Sequence, residues 1–394
     1  MQFYLPQLFF LVYIFAVERR LKIILILLCP VIICLAQIDF RQLHIVSTLK
    51  NAEYACNGCC IAEGNEDITF TLALSARVEN LFSEIYLTPA AGLIMAGDTI
   101  PAERLRKWDY FAKYKPLIRW YRIFPVKLDT VYQNDPEKIA QWARILYEEI
   151  PIPELNDKWS ANLSTLNGYE RFFPGTIWLK AEIAYQGRFA ATPGIESRFR
   201  IASGDYGGLS TTVFHVSKKG LSGNRFLDYM LMFRNLPYIR NPNSWNGHWS
   251  EHQAKNWIGG DVLAFTYFAV ALAGRPLQKY YGKLPMPPAN GFELTDYYGR
   301  QAHRENEFYL MNNEKPVYLN QDYFSPGDFI VNRYQVAVLA RDLSPINSKE
   351  AGEPNRRLDS SDLVLMNCGG ALELYPLREA LGDTITLIRW KKRW

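Results

Sequence analysis

The sequence lacks the features that mark a membrane-embedded or a nucleic-acid-binding protein. After residue 36, no apolar run approaches the roughly 20 residues that a membrane-spanning helix needs. The formal net charge is only +4, and the 44 Lys and Arg are scattered among 40 Asp and Glu, so the concentrated basic face of a nucleic-acid binder is missing. Internal repeats, low-complexity runs and a phosphate-cradling glycine loop are absent too, which excludes a repeat architecture and a P-loop site.

The longest apolar part of the chain is its first 36 residues. Two apolar runs, residues 3–17 and 21–36, flank a charged patch that contains Arg19 and Arg20. The second run matches a signal peptide, because a basic start and an apolar core precede the small residues Cys34 and Ala36. We expect residues 1–36 to be a signal peptide cleaved after Ala36, or an uncleaved N-terminal anchor or helical hairpin. A translation start at Val17 is one explanation for residues 1–16, which a signal peptide does not need. The predicted location is periplasmic or secreted, or anchored to the inner membrane by this segment.

Cysteine is scarce in the exported part of the chain. The cysteines after residue 36 are Cys56, Cys59, Cys60 and Cys368. In an oxidising compartment a local disulfide among the first three is expected, and the sequence leaves its connectivity open. Three thiolates could also bind a metal, but no His or Cys follows at ligand spacing. We therefore predict neither a metal nor a cofactor.

The length beyond residue 36 exceeds what one hydrophobic core usually supports, so two or three domains are expected. Alternating apolar runs broken by Pro and Gly predict a β-sandwich-like domain over residues 37–150. Within it, helical spacing of apolar residues predicts a short helix at 136–147. A Pro-rich, polar linker is expected at 151–164, and the alternation that returns beyond it predicts a second small β module at 165–225.

The pattern changes at about residue 226. Helices are expected at 226–233, around 248–257, and at 262–273, where Asp261 is well placed as the N-cap. Strands are expected at 329–340, 363–366 and 385–390. The predicted fold is multi-domain: N-terminal all-β, sandwich-like modules are followed by an α+β domain at 226–394.

The order of motifs in this last part carries a resemblance. An Asp-Val pair at residues 261–262 opens a helix, a Pro-Gly-Asp turn at 326–328 introduces a strand, a Gln-Val-Ala-Val strand starts at 335, and another strand ends at Asn367. This series resembles the NlpC-type branch of the papain-like cysteine peptidases. The resemblance covers roughly residues 226–390 and implies a papain-like fold with a cleft between the helix and the strands.

Carried over residue by residue, the resemblance puts the nucleophile on Val262, the base on Gln335, and the orienting residue on Asn367 or Met366. In the family, the helix N-terminus stabilises a cysteine thiolate and a facing histidine takes its proton. Valine cannot attack a carbonyl, and glutamine has no accessible pKa for a base. The resemblance therefore implies a catalytically inactive domain whose cleft is lined by Asp261, Gln335 and Asn367, with His252 and Trp257.

Two other sources of catalysis stay open in the sequence. Cys368 could act as a displaced nucleophile, although it is expected at a strand end and not at a helix start. His248, Glu251 and His252 match the H-x-x-E-H pattern of inverted zinc peptidases, which needs a further downstream ligand.

We expect an exported cell-envelope protein that binds a peptide, a glycan or a protein, and no nucleic acid. The alternatives are an active cell-wall amidase or peptidase, and β modules that act in adhesion or assembly. A membrane would be contacted only through the N-terminal segment, if it stays uncleaved.

Overall fold

Three β-sheets make up most of the structure. The computed structural model describes residues 38–49, 55–57, 60–78, 84–110, 114–127, 144–196, 199–201, 209–210, 212–239, 253–274, 297–304, 308–312, 315–318, 324–332, 335–344, 353–367, 370–377, 381 and 384–390. It is mostly β-sheet with few helices, which confirms the expectation of a β-rich chain. Residues 1–36, and the signal or anchor predicted there, lie outside the described residues.

The first part of the chain, up to residue 218, is built mainly from short strands. They are β1 (Ile38–Leu49), β2 (Ala55–Asn57), β3 (Cys60–Ala62), β4 (Ile68–Val78), β5 (Ile85–Leu87), β6 (Leu93–Met95), β7 (Asp98–Thr99), β8 (Leu105–Arg106), β9 (Leu117–Lys127), β10 (Arg144–Pro151), β11 (Ser160–Asn162), β12 (Gly175–Tyr185), β13 (Arg188–Ala191), β14 (Phe199–Ile201) and β15 (Phe214–Lys218). A short helix, α1 (Tyr169–Phe172), precedes β12.

These strands form two sheets. Among the described residues, the first sheet has the order β7-β6-β2-β1-β4-β5-β8, with β11 added beside β4. The second has the order β14-β10-β9-β12-β15-β3, with β13 beside β12. In the second sheet, β9 pairs with β12 and β10 pairs with β14, so strands of the first predicted β module pair with strands from residues 165–225. The predicted boundary between the two β modules therefore falls inside a shared pair of sheets.

The two sheets pack face to face on a common core. Phe70 and Leu72 of the first sheet are fully buried against Trp120 and Leu179 of the second. Because side chains alternate along a strand, Ile123 and Trp178 point to the other face of the second sheet and join a different core. Both faces of the second sheet are thus covered, and this accounts for the nearly continuous burial of β12.

Two local expectations in this part are wrong. The stretch 151–164 is no free linker, because Leu155 and Leu163 are fully buried and β11 pairs with β4. The helix predicted at 136–147 ends inside strand β10, where the buried Tyr147 packs edge-on against Trp178. Pairing with β9 outweighs a few apolar residues at helical spacing. Residues 136–143 lie outside the described residues.

The described residues after 218 supply two longer helices and the third sheet. The helices are α2 (Arg225–Met232) and α3 (Val262–Leu272), both close to their predicted positions. The strands are β16 (Tyr297–Arg304), β17 (Phe308–Asn312), β18 (Lys315–Tyr318), β19 (Phe329–Val331), β20 (Val336–Arg341), β21 (Leu363–Asn367), β22 (Leu372–Pro376) and β23 (Thr384–Trp390). The single strand predicted at 329–340 is the hairpin of β19 and β20, and those predicted at 363–366 and 385–390 are confirmed.

The third sheet has the order β18-β17-β16-β23-β19-β20-β21-β22 in the described part of the chain. Helices α2 and α3 lie between this sheet and the second sheet of the sandwich, because one core cluster contains Trp178 of β12, Phe233 after α2, Phe265 of α3 and Val338 of β20. The layers are therefore sheet, sheet, helices, sheet. The core runs without interruption across the boundary predicted at residue 226.

The opposite face of the third sheet carries a smaller core around Ile330, Leu339 and Val364. In the part of the chain that the structure describes, neither α2 nor α3, nor any other helix, is long and apolar enough to cross a bilayer.

Candidate functional site

The start of helix α3 is the element on which the predicted site depends. Asp261 is the N-cap, and its Oδ1 accepts a hydrogen bond from the Ala264 backbone N–H at 2.7 Å. Its own C=O accepts from the Phe265 N–H at 3.0 Å. Val262 is thus the first helical residue, where a cysteine would gain from unpaired backbone donors and the helix dipole. Its side chain is only 7% exposed and belongs to the core between the second and third sheets.

An extended segment, residues 235–239, joins this helix start to the third sheet. The Ile239 N–H donates to the Gly260 C=O at 3.0 Å, and the Gly260 N–H donates back to the Pro237 C=O at 3.0 Å. On its other side, the segment bonds to residues 370–372 just before and at the start of β22. A Cβ on Gly259 would lie 2.6 Å from the Pro237 oxygen, so this close approach needs a glycine.

Gln335 and Asn367 lie at the same end of the third sheet as this junction. Gln335 closes the hairpin between β19 and β20: its N–H donates to Asn332 Oδ1 at 2.7 Å, and its C=O accepts from the Asn332 N–H at 3.0 Å. Asn367 ends β21 and pairs with Leu372 of β22. Strands β20 and β21 are antiparallel, and Val338 pairs with Leu365. Two residues further toward this end of the sheet, the same register places Asn367 opposite Val336.

Helix α3 runs along the sheet with its N-terminus at this end. Gly274 follows the C-terminal end of α3 and lies beside Arg225 at the start of α2. A Cβ on Gly274 would be 3.8 Å from the guanidinium nitrogens of Arg225. The start of α2 in turn contacts the turn before β19, since Asn224 Nδ2 donates to the Pro326 C=O at 2.9 Å. The C-terminus of α3 is thus at the far end, and Val262, Gln335 and Asn367 gather at the near end.

Because side chains alternate along a strand, Val336, and not Gln335, lies on the side of β20 that faces helix α3. Val336 and Val338 pack against the core that contains Val262, whereas Ala337 and Leu339 face the core on the opposite side of the sheet. Asn367 shares its face with Leu365 and thus points to the helix side. The helix start therefore faces valine on β20 and asparagine on β21.

Asn367 is a polar side chain at this end whose amide is buried. Both its Oδ1 and its Nδ2 are buried, and neither has a hydrogen-bond partner among the described residues. An unsatisfied buried amide costs roughly 1–3 kcal/mol per group. Its neighbours Cys368 and Gly369 lie outside the described residues.

Trp257 is a core residue. It is 7% exposed, its ring stacks on Phe233 with centroids 4.7 Å apart, and its C=O accepts a hydrogen bond from Trp178 Nε1 at 3.2 Å. The ring of His215 lies 5.3 Å away, and burial lowers the His215 pKa to about 3. This imidazole stays neutral at physiological pH and is too weak a base for acid–base catalysis.

Several predicted residues fall outside the described residues. They are His248, Glu251, His252, Cys59 and Cys368, together with the side chain of Cys56. Cys60 is described, and its side chain is buried in β3. Among the residues that the structure does describe, no group of three or more His, Cys, Asp or Glu side chains is arranged to hold a metal ion.

The sequence gives no sign of a cavity at the other end of the third sheet. It has a volume of about 1020 Å³ and lies between the sandwich and the segments 324–328 and 340–343. The buried Lys218, at the end of β15, lines it. The sequence predicted only a small β module at 165–225, and an ammonium group inside the protein is visible only in the structure.

Comparison with known proteins gives no match for this chain, whether to a family model, a curated protein or a solved structure.

Proposed function

We propose that residues 226–394 form an NlpC-like papain fold that has lost its nucleophile and its base and binds a ligand without cleaving it. The observation that carries the proposal is the lack of a nucleophile and of a base where the helix faces the sheet: Val262 begins helix α3 at the expected nucleophile position, and the residue of β20 on the helix side is Val336, next to the expected base position Gln335. Neither side chain can attack a carbonyl or accept a proton.

The arrangement around these valines supports the family assignment. A capped helix that starts against an antiparallel sheet, a hairpin that follows a Pro-Gly-Asp turn, and a polar residue on the next strand occur in the order that the resemblance implies. Asn367, with its buried amide lacking a described partner, would be the surviving polar part of the site. The ligand would be a cell-envelope peptide, glycan or protein. The chain would reach it because residues 1–36 direct export.

The first experiment tests for turnover. The purified chain is incubated with peptidoglycan and with a panel of acyl peptides, and newly released amines are measured. We expect no release above that of a heat-inactivated sample, and retention of the chain on one of these materials in a sedimentation assay. Release that is lost in Cys368→Ala or Glu251→Gln would instead make the chain an active hydrolase and would refute the proposal.

A second experiment rebuilds the missing pair. In Val262→Cys the new thiol lies at the helix start, and a histidine on the facing strand should lower its pKa by forming a thiolate–imidazolium pair. We expect iodoacetamide at pH 6 to alkylate Val262→Cys/Val336→His roughly tenfold faster than Val262→Cys alone.

The matched control is Val262→Cys/Gln335→His, in which alternation directs the histidine to the opposite face of the sheet. Because all three variants share the same buried cysteine, differences in access cancel. Equal rates in all three variants would mean that β20 does not face the helix start, and the papain-like assignment would then fail.

A further inference from the structure

The cavity beside Lys218 lies away from the site proposed above. Its lining comes from the loop 219–224 after β15 on one side and from the segments 324–328 and 340–343 on the other. Gly327 donates its N–H to the Leu339 C=O at 2.8 Å, at the end of the β19–β20 hairpin remote from Gln335. A volume of about 1020 Å³ is at the upper end of the range for small-molecule sites.

The walls of the cavity are fixed by close contacts. Asn224 caps helix α2 through its Oδ1 and donates through Nδ2 to the Pro326 C=O at 2.9 Å. A Cβ on Gly327 would lie 2.4 Å from that Nδ2, and a Cβ on Gly64 would lie 2.6 Å from Leu221. Both glycines thus allow the loop to sit tightly against its neighbours, and the cavity is preformed.

Lys218 is a buried cation in the wall. Its side chain belongs to a residue only 3% exposed, and its Nζ donates a hydrogen bond to the Tyr169 hydroxyl and lies 5.1 Å from the centre of that ring. The ion pairs of the described residues do not include Lys218. A buried lysine without a counter-ion is rare, because desolvating the charge is costly. The ammonium has three N–H donors, and Tyr169 accepts one.

The next residue, Lys219, is a lysine of the same cavity whose charge is paired within the protein. Lys219 also lines the cavity, but its Nζ forms an ion pair with Glu63 and lies 3.5 Å from the Tyr229 hydroxyl. Its charge is therefore compensated within the protein. Of the two adjacent lysines, Lys218 is the one left to pair with a ligand.

The rest of the lining defines the ligand. The backbone N–H groups of Gly220, Ser222 and Asn224 already donate to protein acceptors, so the loop offers no set of free donors for a phosphate. Carboxylates also line the cavity and disfavour a second negative charge: Glu170, Asp328 and Asp342. Apolar side chains supply most of the remaining surface: Phe173, Leu221, Leu231, Phe324 and Leu343.

We propose that this cavity binds a small amphipathic carboxylate, whose carboxylate accepts hydrogen bonds from Lys218 and whose apolar body packs against the apolar lining. A single carboxylate supplies the counter-ion that Lys218 lacks, and it brings less negative charge than a phosphate dianion into a lining that holds Glu170, Asp328 and Asp342 beside Arg341. This site does not depend on the papain-like assignment, because it lies at the other end of the sheet.

Calorimetric titration of the purified chain tests the proposal with octanoate, N-acetyl-phenylalanine, octyl phosphate and octanol. We expect one site for octanoate or N-acetyl-phenylalanine, with at least tenfold weaker binding of octyl phosphate and octanol. The stronger of the two carboxylates identifies a fatty acyl chain or a peptide C-terminus as the source. Absence of binding by both carboxylates, or tighter binding of octyl phosphate, overturns the proposal.

Variants then test the role of Lys218. Lys218→Met should weaken carboxylate binding about 10–100-fold, because a charged hydrogen bond is lost, and Lys218→Arg should restore most of it. Lys219→Met is the matched control and should change affinity less than threefold, since its charge is compensated by Glu63. An equal loss in both methionine variants would show that only the overall potential matters and would overturn direct contact.

A measurement on the unaltered chain covers the case in which Lys218→Met does not fold. In the ¹⁵N-lysine-labelled chain, the Nζ resonance assigned to Lys218 should shift on addition of the bound carboxylate, and that of Lys219 should stay in place. A titration in which binding occurs without a shift at Lys218 would place the ligand elsewhere and refute the proposal.

Discussion

Asp362 makes the stability of the C-terminal part depend on pH. Its side chain is fully buried, and its two oxygens accept hydrogen bonds from the backbone N–H groups of Leu343 and Asp359, each at 2.9 Å. Burial raises the pKa of this carboxyl to about 8, and the nearby Asp359 and Asp342 carboxylates act in the same direction, against the two backbone donors. The folded protein therefore holds a proton that the unfolded chain releases near pH 4.

The sign and size of the effect follow from these two pKa values. Between the unfolded pKa of 3.8 and the folded pKa of about 8, the folded state binds more protons than the unfolded state. The stabilisation is complete below the lower value and is lost as the pH rises through the higher one. Each pH unit in this window costs about 1.4 kcal/mol of unfolding free energy. From pH 5 to pH 7 the loss is about 2.7 kcal/mol.

Buried His215 has the opposite effect on the same measurement. Burial lowers its pKa from 6.5 to about 3, so its contribution to stability grows as the pH rises from about 3 to 6.5. The unaltered chain sums both effects, and its stability should change little between pH 4 and 6.5 and then fall toward pH 8. A difference between matched variants is needed to separate the two groups.

Urea unfolding followed by tryptophan fluorescence at several pH values is the assay. The difference in unfolding free energy between the unaltered chain and Asp362→Asn should fall by about 2.7 kcal/mol from pH 5 to 7. The corresponding difference for His215→Phe should rise between pH 5 and 6.5, which controls for general effects of pH. A difference for Asp362→Asn that stays constant within about 0.5 kcal/mol would mean that the carboxyl is ionised in the folded state, and the reasoning would be refuted.

Two further substitutions test local features of the same part of the chain. Asp261→Ala removes the oxygen that accepts from the Ala264 N–H and should lower the unfolding free energy, measured with urea, by about 1 kcal/mol. Asp261→Asn keeps an acceptor oxygen and should lower it less, and equal losses would argue against the cap. Gly327→Ala places a Cβ 2.4 Å from Asn224 Nδ2 at a φ of +96° and should lower the unfolding free energy by more than 2 kcal/mol. Gly187→Ala, at a φ of +77° with open space around it, bears only the backbone strain of about 1 kcal/mol, and equal losses would contradict the steric argument.

Local chemistry made helices α2 and α3 predictable, whereas residues 253–257, the described part of the helix expected around 248–257, form turns. Asp261 accepts from the third residue after it, which is a contact within one turn, so helix α3 begins where the cap and the following apolar run place it. The strand at 363–367 likewise follows from its own residues. The helix predicted at 136–147 failed where residues 145–147 pair with residues 125–127, because nothing in the local pattern reports a strand partner.

The residues of the candidate site remain a prediction from the order of motifs, and only their placement in the fold comes from the structure. The order of motifs selected Val262, Gln335 and Asn367, and the structure brings these residues to one end of the third sheet. The face on which each side chain lies depends on hairpin register, and a shift of one residue exchanges Gln335 for Val336 at the helix side. A motif read along the chain does not fix that register.

The sequence by itself determined that the chain is rich in β-strands and where helices α2 and α3 begin. It also determined that position 262 holds no nucleophile. Each of these features depends on residue type or on contacts within a few residues. Only the tertiary structure decided that strands on both sides of residue 150 share a sheet, that residues 151–164 pack into a core, and that Lys218 is buried beside a cavity. These features come from pairs of residues far apart in the chain, such as Lys218 and Tyr169 or Asn224 and Pro326, and their energies exist only once the sheets have assembled.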